Sequence, residues 1–221
     1  MNFSYRLVFI IAIFITCLIT ANIIAVKVIS VGSVFLPAAI LVFPLSYLFG
    51  DILTEVYGYR LARRVIWLGF ICNLIFVFFA WIGQILPSAP FWQGQGAYES
   101  ILGYTPRLLI ASFCGYIVGE FANSFIMAKM KIMTRGRFLW SRTISSTIVG
   151  EGLDSAIFIT LAFVGTPLFA PLMILYHWLA KTIIEIILTP LTYKTVNFLK
   201  RKEAVDTYDY KTKFNPFLIT D

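Results

Sequence analysis

Residues 7–29 read LVFIIAIFITCLITANIIAVKVI, and Asn22 and Lys27 are the strongly polar residues in this stretch. An apolar run of this length can cross the hydrocarbon core of a bilayer as a helix, which takes about 20 residues. It is also longer than the apolar region of a signal peptide, which has about 7–15 residues. We therefore predict a first membrane span that is kept in the mature protein.

Five more apolar stretches follow, bounded by charged or turn-forming residues: 34–56, 65–87, 107–128, 143–165 and 168–193. The chain is 59% hydrophobic and 13% charged with a mean hydropathy of +0.85, whereas soluble domains carry about 25% charged residues. We predict an all-α integral membrane protein, a six-transmembrane-helix bundle over residues 1–200. A polar tail over residues 201–221 is expected to be cytoplasmic and partly disordered.

The distribution of basic residues predicts the orientation of the spans. Basic residues at the N-terminus and after the second, fourth and sixth stretches would share one side, while Arg107 is expected alone on the other. The positive-inside rule then places both termini in the cytoplasm. Because these residues lie in short loops beside spans, we expect no nucleic-acid partner despite the net charge of +7.

The composition also limits the kinds of site. The sequence has one histidine, and its three cysteines lie in apolar runs without CxxC spacing. These counts give no basis for a zinc, haem or disulfide framework. We expect no metal and no cofactor.

Charged residues inside the apolar stretches indicate a functional site. A charge at the centre of a membrane helix costs about 2.5–3.5 kcal/mol on insertion scales, so such residues face a partner or a cavity. Helical rise and alternating span direction place several of them near the middle of the bilayer, three or four residues apart on shared helix faces. We predict a substrate site built from Asn22, Asp51, Glu120, Asn123, Glu151, Asp154 and Lys181.

Three further residues are candidates for coupling or gating: Glu55, His177 and Glu185. Structural ion pairing, for example of Lys181 with Glu185 or Glu151, is the alternative for any single one of these residues, but a bundle that needs only structural contacts can use serine, threonine or small residues instead of the whole set. In the second stretch, Asp51 and Glu55 are four residues apart and precede three arginines, which is typical of either a charge latch on the cytoplasmic side or a solvated interface. Pro37 and Pro44 are predicted to kink this span.

Two short motifs recur about one hundred residues apart. Ala21-Asn22 precedes Lys27 as Ala122-Asn123 precedes Lys129, and GDILTE from Gly50 corresponds to GEGLDS from Gly150. An offset of three spans gives the two halves opposite orientation. Inverted repeats around a polar midplane site are characteristic of secondary transporters, so a 3+3 inverted repeat is a further prediction.

Three longer runs resemble a known family: GDILTEVYGYRLARRVIW at 50–67, NSFIMAKMKIMTRGRFLWSRTISSTIVGEGLD at 123–154 and KTIIEIILTPLTY at 181–193. They are similar to the bacterial queuosine precursor transporters, also called vitamin uptake transporters. The resemblance implies a multi-pass inner-membrane protein, not an enzyme, that imports the 7-deazaguanines preQ0 and preQ1 for queuosine in tRNA. Where that family often carries a glutamine this chain has Glu151, and queuine stays open as a substrate.

The implied substrate predicts roles for individual residues. A 7-deazaguanine presents N1–H and an amine that a carboxylate can accept, and its O6 needs a donor. We predict Glu151 or Asp154 for the donor edge, Asn123 or Lys181 for O6, and Trp178 or a phenylalanine for stacking on the ring.

Other functional classes stay open at this point. The chain has no GxxxxGK[ST] motif, so proton coupling, facilitated diffusion and a role as the substrate-binding subunit of a larger ATP-driven complex are alternatives. A homo-oligomer is also open. An intramembrane aspartyl protease is the competing enzyme, but it needs GxGD, and Leu48-Phe49 precede Gly50-Asp51 here.

Overall fold

The computed structural model describes residues 4–31, 34–103, 106–165 and 169–218. Six helices in these ranges are long and apolar enough to cross a membrane, which confirms the predicted six-helix α-bundle. The elements in chain order are α1 Tyr5–Ile24, β1 Val28–Val31, β2 Val34–Pro37, a 3-10 turn Ala38–Leu41, α2 Phe43–Ile52, a π-helical turn Leu53–Tyr57, α3 Tyr59–Ile85, α4 Gln95–Leu102, α5 Pro106–Met133, α6 Leu139–Phe163 and α7 Pro171–Glu203.

The first helix is shorter than the apolar run that predicted it. It begins at the N-cap Ser4, whose hydroxyl accepts a hydrogen bond from the Leu7 amide at 3.1 Å, and it ends at Ile24 rather than at residue 29. The β-branched residues that follow favour extended backbone. They form an antiparallel hairpin in which Ile29 lies opposite Leu36.

The predicted proline kinks in the second span are wrong. Pro37 is the last residue of β2, and Pro44 lies in the first turn of α2, where a missing N–H removes no helical hydrogen bond. The break in this span lies at its other end, in the π-helical turn Leu53–Tyr57, and Gly58 follows with φ +87°. Glycine is favoured in this conformation because glycine has no Cβ.

Helices α5 and α6 form the most extensive helix pair of the bundle. A Cβ on Gly119 would lie 2.9 Å from the Gly150 carbonyl oxygen, and a Cβ on Gly150 would lie 2.8 Å from the Asn123 Cβ. Gly115 and Gly119 form the small-xxx-small pattern GYIVG, which lets membrane helices approach closely. The sequence shows this small-xxx-small pattern, but the prediction of a helix bundle made above rests on hydropathy and charge instead.

The C-terminal segment, expected to be partly disordered, packs against the bundle in the structure. Helix α7 continues to Glu203, and the segment 204–218 then runs along the corner between the π-helical turn and α3. The Asp209 carboxylate accepts the Tyr59 amide at 2.9 Å, and buried Arg63 donates to the carbonyl oxygens of Lys213 at 3.0 Å and Asn215 at 2.8 Å. Backbone acceptors paired with buried donors explain why a polar segment stays ordered.

Both ends of the described chain lie at the same end of the bundle. Glu203 accepts hydrogen bonds from Ser4 and, at 2.5 Å, from the Tyr57 hydroxyl, and Lys131 at the end of α5 pairs with Asp206 at 2.5 Å. This arrangement agrees with the predicted clustering of basic residues. At the opposite end Arg107 is not alone, because α1 ends before Lys27 and leaves it exposed there.

Which side of the membrane this end faces stays a prediction. We expect a fluorescent-protein fusion at the C-terminus to be bright and an alkaline phosphatase fusion to be inactive, because the positive-inside rule places the basic end in the cytoplasm. The same two reporters fused after Ser88, in the loop that precedes α4, serve as the reciprocal control. Phosphatase activity at the C-terminus would refute the orientation.

Candidate functional site

A cavity of about 550 Å³ lies between the helices in the half of the bundle that is remote from the C-terminal segment. The last turns of α1, the first turns of α2, and parts of α3, α5, α6 and α7 form its wall. Most lining side chains are apolar, and aromatic rings come from the three helices α2, α5 and α6: Phe43, Tyr47, Phe113, Tyr116, Phe158 and Phe163. A concave, mainly apolar site with a few polar groups is the usual form of a small-molecule site.

An ion triad forms one polar part of this wall. The Lys181 Nζ lies 2.5 Å from Asp154 Oδ2 and 2.7 Å from Glu151 Oε2, so α7 is tied to α6 by both carboxylates. Lys181 also lies over the Phe43 ring, 4.6 Å from its centroid. Lys181 and Asp154 line the cavity, whereas Glu151 does not and lies behind them.

A set of amide and hydroxyl groups forms the second polar part of the wall. Asn22 Nδ2 donates to Asn73 Oδ1 at 2.8 Å, and Ser112 Oγ donates to Asn22 Oδ1 at 3.3 Å. These groups come from α1, α3 and α5, and all three line the cavity. Asn22 therefore lines the cavity, and its role as a substrate contact stays a prediction.

His177 lines the cavity as well, and its Nδ1 lies 2.9 Å from the Ser155 hydroxyl. The pair joins α7 to α6 on the same wall as the ion triad. This hydrogen bond gives one of the two ring nitrogens of His177 a structural role. The coupling role of His177 stays a prediction.

Four of the predicted site residues form a buried acidic cluster behind the cavity wall. Asn123 Nδ2 donates to Asp51 Oδ1 at 2.8 Å, and both residues are fully buried. Glu120 and Glu185 are also buried, and neither carboxylate has a hydrogen-bond partner among the described residues. Of the two structural pairs considered for Lys181, the one with Glu151 is present and the one with Glu185 is not; Asp154 also reaches Lys181 from α6.

Glu55 lies in a separate ion network towards the basic end of the bundle. Its two carboxylate oxygens accept from Arg142 at 2.7 and 2.8 Å, and Lys200 donates to it at 2.6 Å. Lys131 lies 3.7 Å from the same carboxylate and also binds Asp206 in the C-terminal segment. Burial raises the pKa of Asp206, but hydrogen bonds from Lys131 and Lys200 outweigh it and hold that pKa below its ordinary value.

Glu55 forms a charge network of the kind considered above as a latch, but its cationic partners differ from the expected ones. The cations described around Glu55 come from α5, α6 and α7, whereas the sequence led us to consider the arginines that follow it. Arg63 of that group instead binds the carbonyl oxygens of the C-terminal segment. The π-helical turn carries Glu55 towards these partners, a feature that hydropathy does not indicate.

Trp178, predicted as one stacking candidate, does not line the cavity. Its indole N–H donates to the Ile148 carbonyl oxygen at 2.9 Å, and its ring borders a smaller, more open pocket. Sequence reasoning missed four polar cavity residues, namely Ser46, Tyr47, Ser112 and Tyr116. Hydroxyl side chains are common in membrane helices, so their type alone gave no signal.

Comparisons with known proteins support the resemblance. Residues 37–195 match the family described as "Putative vitamin uptake transporter". The chain is 32% identical over 116 residues to the "Probable queuosine precursor transporter" of Bacillus subtilis, covering 52% of this chain and 51% of that protein. It is 25% identical over 146 residues to the "Queuosine precursor transporter" of Escherichia coli, covering 65% and 61%.

The matched part of the chain spans about half to three fifths of the length of these curated relatives. No solved structure matches the chain. The family match covers most of the sequence and all but the first of the membrane helices. It agrees with the expectation of a transporter rather than an enzyme. The chain is thus a multi-pass protein of the bacterial inner membrane and belongs to the vitamin uptake transporter family.

Proposed function

We propose that this chain imports queuosine precursors, the 7-deazaguanines preQ0 and preQ1, for salvage into tRNA. Three of the relatives found carry the name of queuosine precursor transporter, and the sequence runs quoted above resemble that family. The observation that carries the proposal is the placement of Asp154 and Lys181 side by side on the wall of an aromatic-lined cavity.

The Asp154–Lys181 ion pair offers both a hydrogen-bond acceptor and a hydrogen-bond donor, and a 7-deazaguanine needs both. The Asp154 carboxylate can accept from N1–H and the exocyclic amine, and Lys181 can donate to O6. Glu151 and Asn123, the other candidates for these two roles, lie behind the wall and serve in this proposal to hold Lys181 and Asp51 in place. The flat ring would lie against an aromatic side chain such as Phe43 or Phe158.

The amide set is suited to the group on C7. An asparagine amide can both donate and accept, so Asn22 and Asn73 could donate to the nitrile of preQ0 and accept from the aminomethyl group of preQ1. Both residues line the same cavity as the ion pair.

Rescue of queuosine synthesis tests the proposed function. Cells that can neither make preQ0 nor import it should regain queuosine in tRNA when they express this chain and receive preQ0 or preQ1. Asp154→Asn should lower the initial uptake rate about tenfold or more, since an unpaired donor edge costs roughly 1–3 kcal/mol. The measurement is queuosine content of tRNA together with uptake of labelled precursor per membrane-inserted protein.

Glu99→Gln is the matched control, because Glu99 is an exposed carboxylate in α4 that does not line the cavity. It should transport like the wild type. Absence of queuosine with inserted wild-type protein would overturn the substrate assignment. Uptake by the purified chain alone in liposomes would also exclude the need for a separate ATPase subunit.

A further inference from the structure

Glu120 occupies an unusual position in the middle of α5. It is fully buried, and neither carboxylate oxygen has a hydrogen-bond partner within the described ranges. The side chain packs against the bare backbone of α2, since a Cβ on Gly50 would lie 3.1 Å from Glu120 Oε2. Glu185 on α7 is 1% exposed and is likewise without a partner there.

The surroundings of these two carboxylates are strongly acidic. Helix α1 contributes the uncharged Phe14 beside Gly50. The titratable groups that act on Glu120 or Glu185, or on which Glu120 acts, are Tyr47 and Asp51 from α2, Tyr116 from α5, Glu151 and Asp154 from α6, and Lys181 from α7. Lys181 is the cation among them, and it is already shared by Glu151 and Asp154.

The charge balance of this cluster requires bound protons. Five carboxylates lie around one ammonium group, and four of them, Asp51, Glu120, Glu151 and Glu185, are buried, where like charges repel strongly at low dielectric. Asp51 has a donor in Asn123, and Lys181 compensates the α6 pair, but the charges of Glu120 and Glu185 would be uncompensated. A buried carboxylate without a partner takes up a proton instead of remaining charged.

We propose that Glu120, with Glu185 as its neighbour, is a proton-binding site that couples inward proton movement to substrate import. A proton from water in the cavity binds the Glu120 carboxylate, crosses with the substrate when the bundle rearranges, and leaves to water on the opposite side. The protein returns with its original charge. This inference rests on the proposed transport function.

Lys181 provides the link between the proton and the substrate. It contacts Asp154 on the cavity wall and Glu151 beside the acidic cluster, so the two sites share one cation. An ionised Glu120 would compete for Lys181 and draw it away from Asp154, whereas a protonated Glu120 leaves the pair intact for the substrate. Binding of a proton and of the substrate then favour each other equally.

The arrangement favours a proton over a metal cation. Among the residues described, no three histidine, cysteine or acidic side chains are placed to hold a metal ion. A proton needs one carboxylate, which Glu120 supplies in a fully buried position.

Transport by the purified full chain in proteoliposomes tests the inference, with labelled preQ0 as the probe because it has no aliphatic amine to titrate. At a clamped membrane potential, an acidic exterior against a neutral interior should drive accumulation several-fold above the external concentration. Equal pH on both sides should give equilibration only. A pH dye inside the vesicles should report acidification when preQ0 is added.

Three variants locate the coupling site. Glu120→Gln cannot release a proton and should lose gradient-driven accumulation, while Glu120→Asp should retain a measurable part of it and the exposed control Glu99→Gln should retain all of it. Folding of each variant is followed by size-exclusion chromatography in detergent. If Glu120→Gln does not fold, the wild-type dye signal and the Glu120→Asp response decide the matter.

Two results would overturn the inference while leaving transport intact: wild-type uptake that only equilibrates under the pH gradient without acidification, or accumulation driven by a sodium gradient instead. A gradient response preserved in Glu120→Gln would overturn the assignment of the site to Glu120. Absence of any preQ0 uptake or counterflow by the wild type would overturn the proposed substrate itself, which separates the two failures.

Discussion

Replacing Lys181 with methionine should lower preQ0 uptake per folded molecule by about 100-fold or more. Methionine keeps much of the length and apolar volume of the lysine stem but removes the cation that holds Glu151 and Asp154. Breaking a buried ion pair by removing one partner costs roughly 3–5 kcal/mol, and here it also removes the proposed donor to substrate O6. Initial uptake rates, normalised to folded protein after solubilisation, measure the effect.

Lys194→Met is the matched control, because Lys194 lies on the same helix and is exposed. It should transport at the wild-type rate. Lys181→Arg should recover part of the activity, since it restores a cation but changes its geometry. Normal uptake by Lys181→Met would show that the triad merely holds α6 and α7 together.

The helices and their polar faces followed from the sequence because two physical signals are strong. Long apolar runs locate membrane spans, and residues three or four apart share a helix face. For this reason Glu151 and Asp154 were expected on one face of α6, and in the structure both reach Lys181. Depth along the spans, estimated from helical rise, predicted that several of the polar residues converge, and Lys181 does contact Glu151 and Asp154.

The partner of each charge did not follow from the sequence. The sequence left Glu185 and Glu151 open as structural partners of Lys181, and the packing between helices determines which acids actually reach it. Interhelical distance depends on side-chain size at contact positions such as Gly119 and Gly150. The spacing of residues along one helix does not give the distance from that helix to its neighbours.

The sequence also did not indicate where helices are interrupted inside apolar segments. The β-hairpin after Ile24 and the π-helical turn at Leu53–Tyr57 lie largely within the apolar stretches, so hydropathy does not distinguish them from continuous helix. The docked C-terminal segment was missed for the opposite reason. It is polar in sequence, and its order comes from backbone carbonyl groups that buried Arg63 and partly buried Trp67 bind.

The two repeated motifs also differ in conformation. GDILTE runs from α2 into the π-helical turn, while GEGLDS lies within the unbroken helix α6. Their glycines nevertheless have a common role, because Gly50 packs against Glu120 and Gly150 against Asn123, both on α5. The inverted repeat stays a prediction.

Replacing Glu55 with alanine should destabilise the protein by about 3–5 kcal/mol, the range for removing one member of a buried ion pair. Glu55 is fully buried and binds Arg142 and Lys200, so its loss leaves buried cations that repel one another. The midpoint of thermal unfolding in detergent should fall markedly. Because Lys131 and Lys200 also hold Asp206, trypsin should cleave the segment after Glu203 faster.

Glu99→Ala removes an exposed carboxylate and should leave both the unfolding midpoint and the cleavage rate unchanged. Arg142→Met tests the same network from its other side and should destabilise the protein by leaving Glu55 with fewer donors. Variants that keep the wild-type unfolding midpoint but change the uptake rate would indicate that the network acts as a latch and not as a structural support. If Glu55→Ala unfolds at the wild-type temperature but changes the uptake rate, the network controls opening at the basic end of the bundle and contributes little to stability.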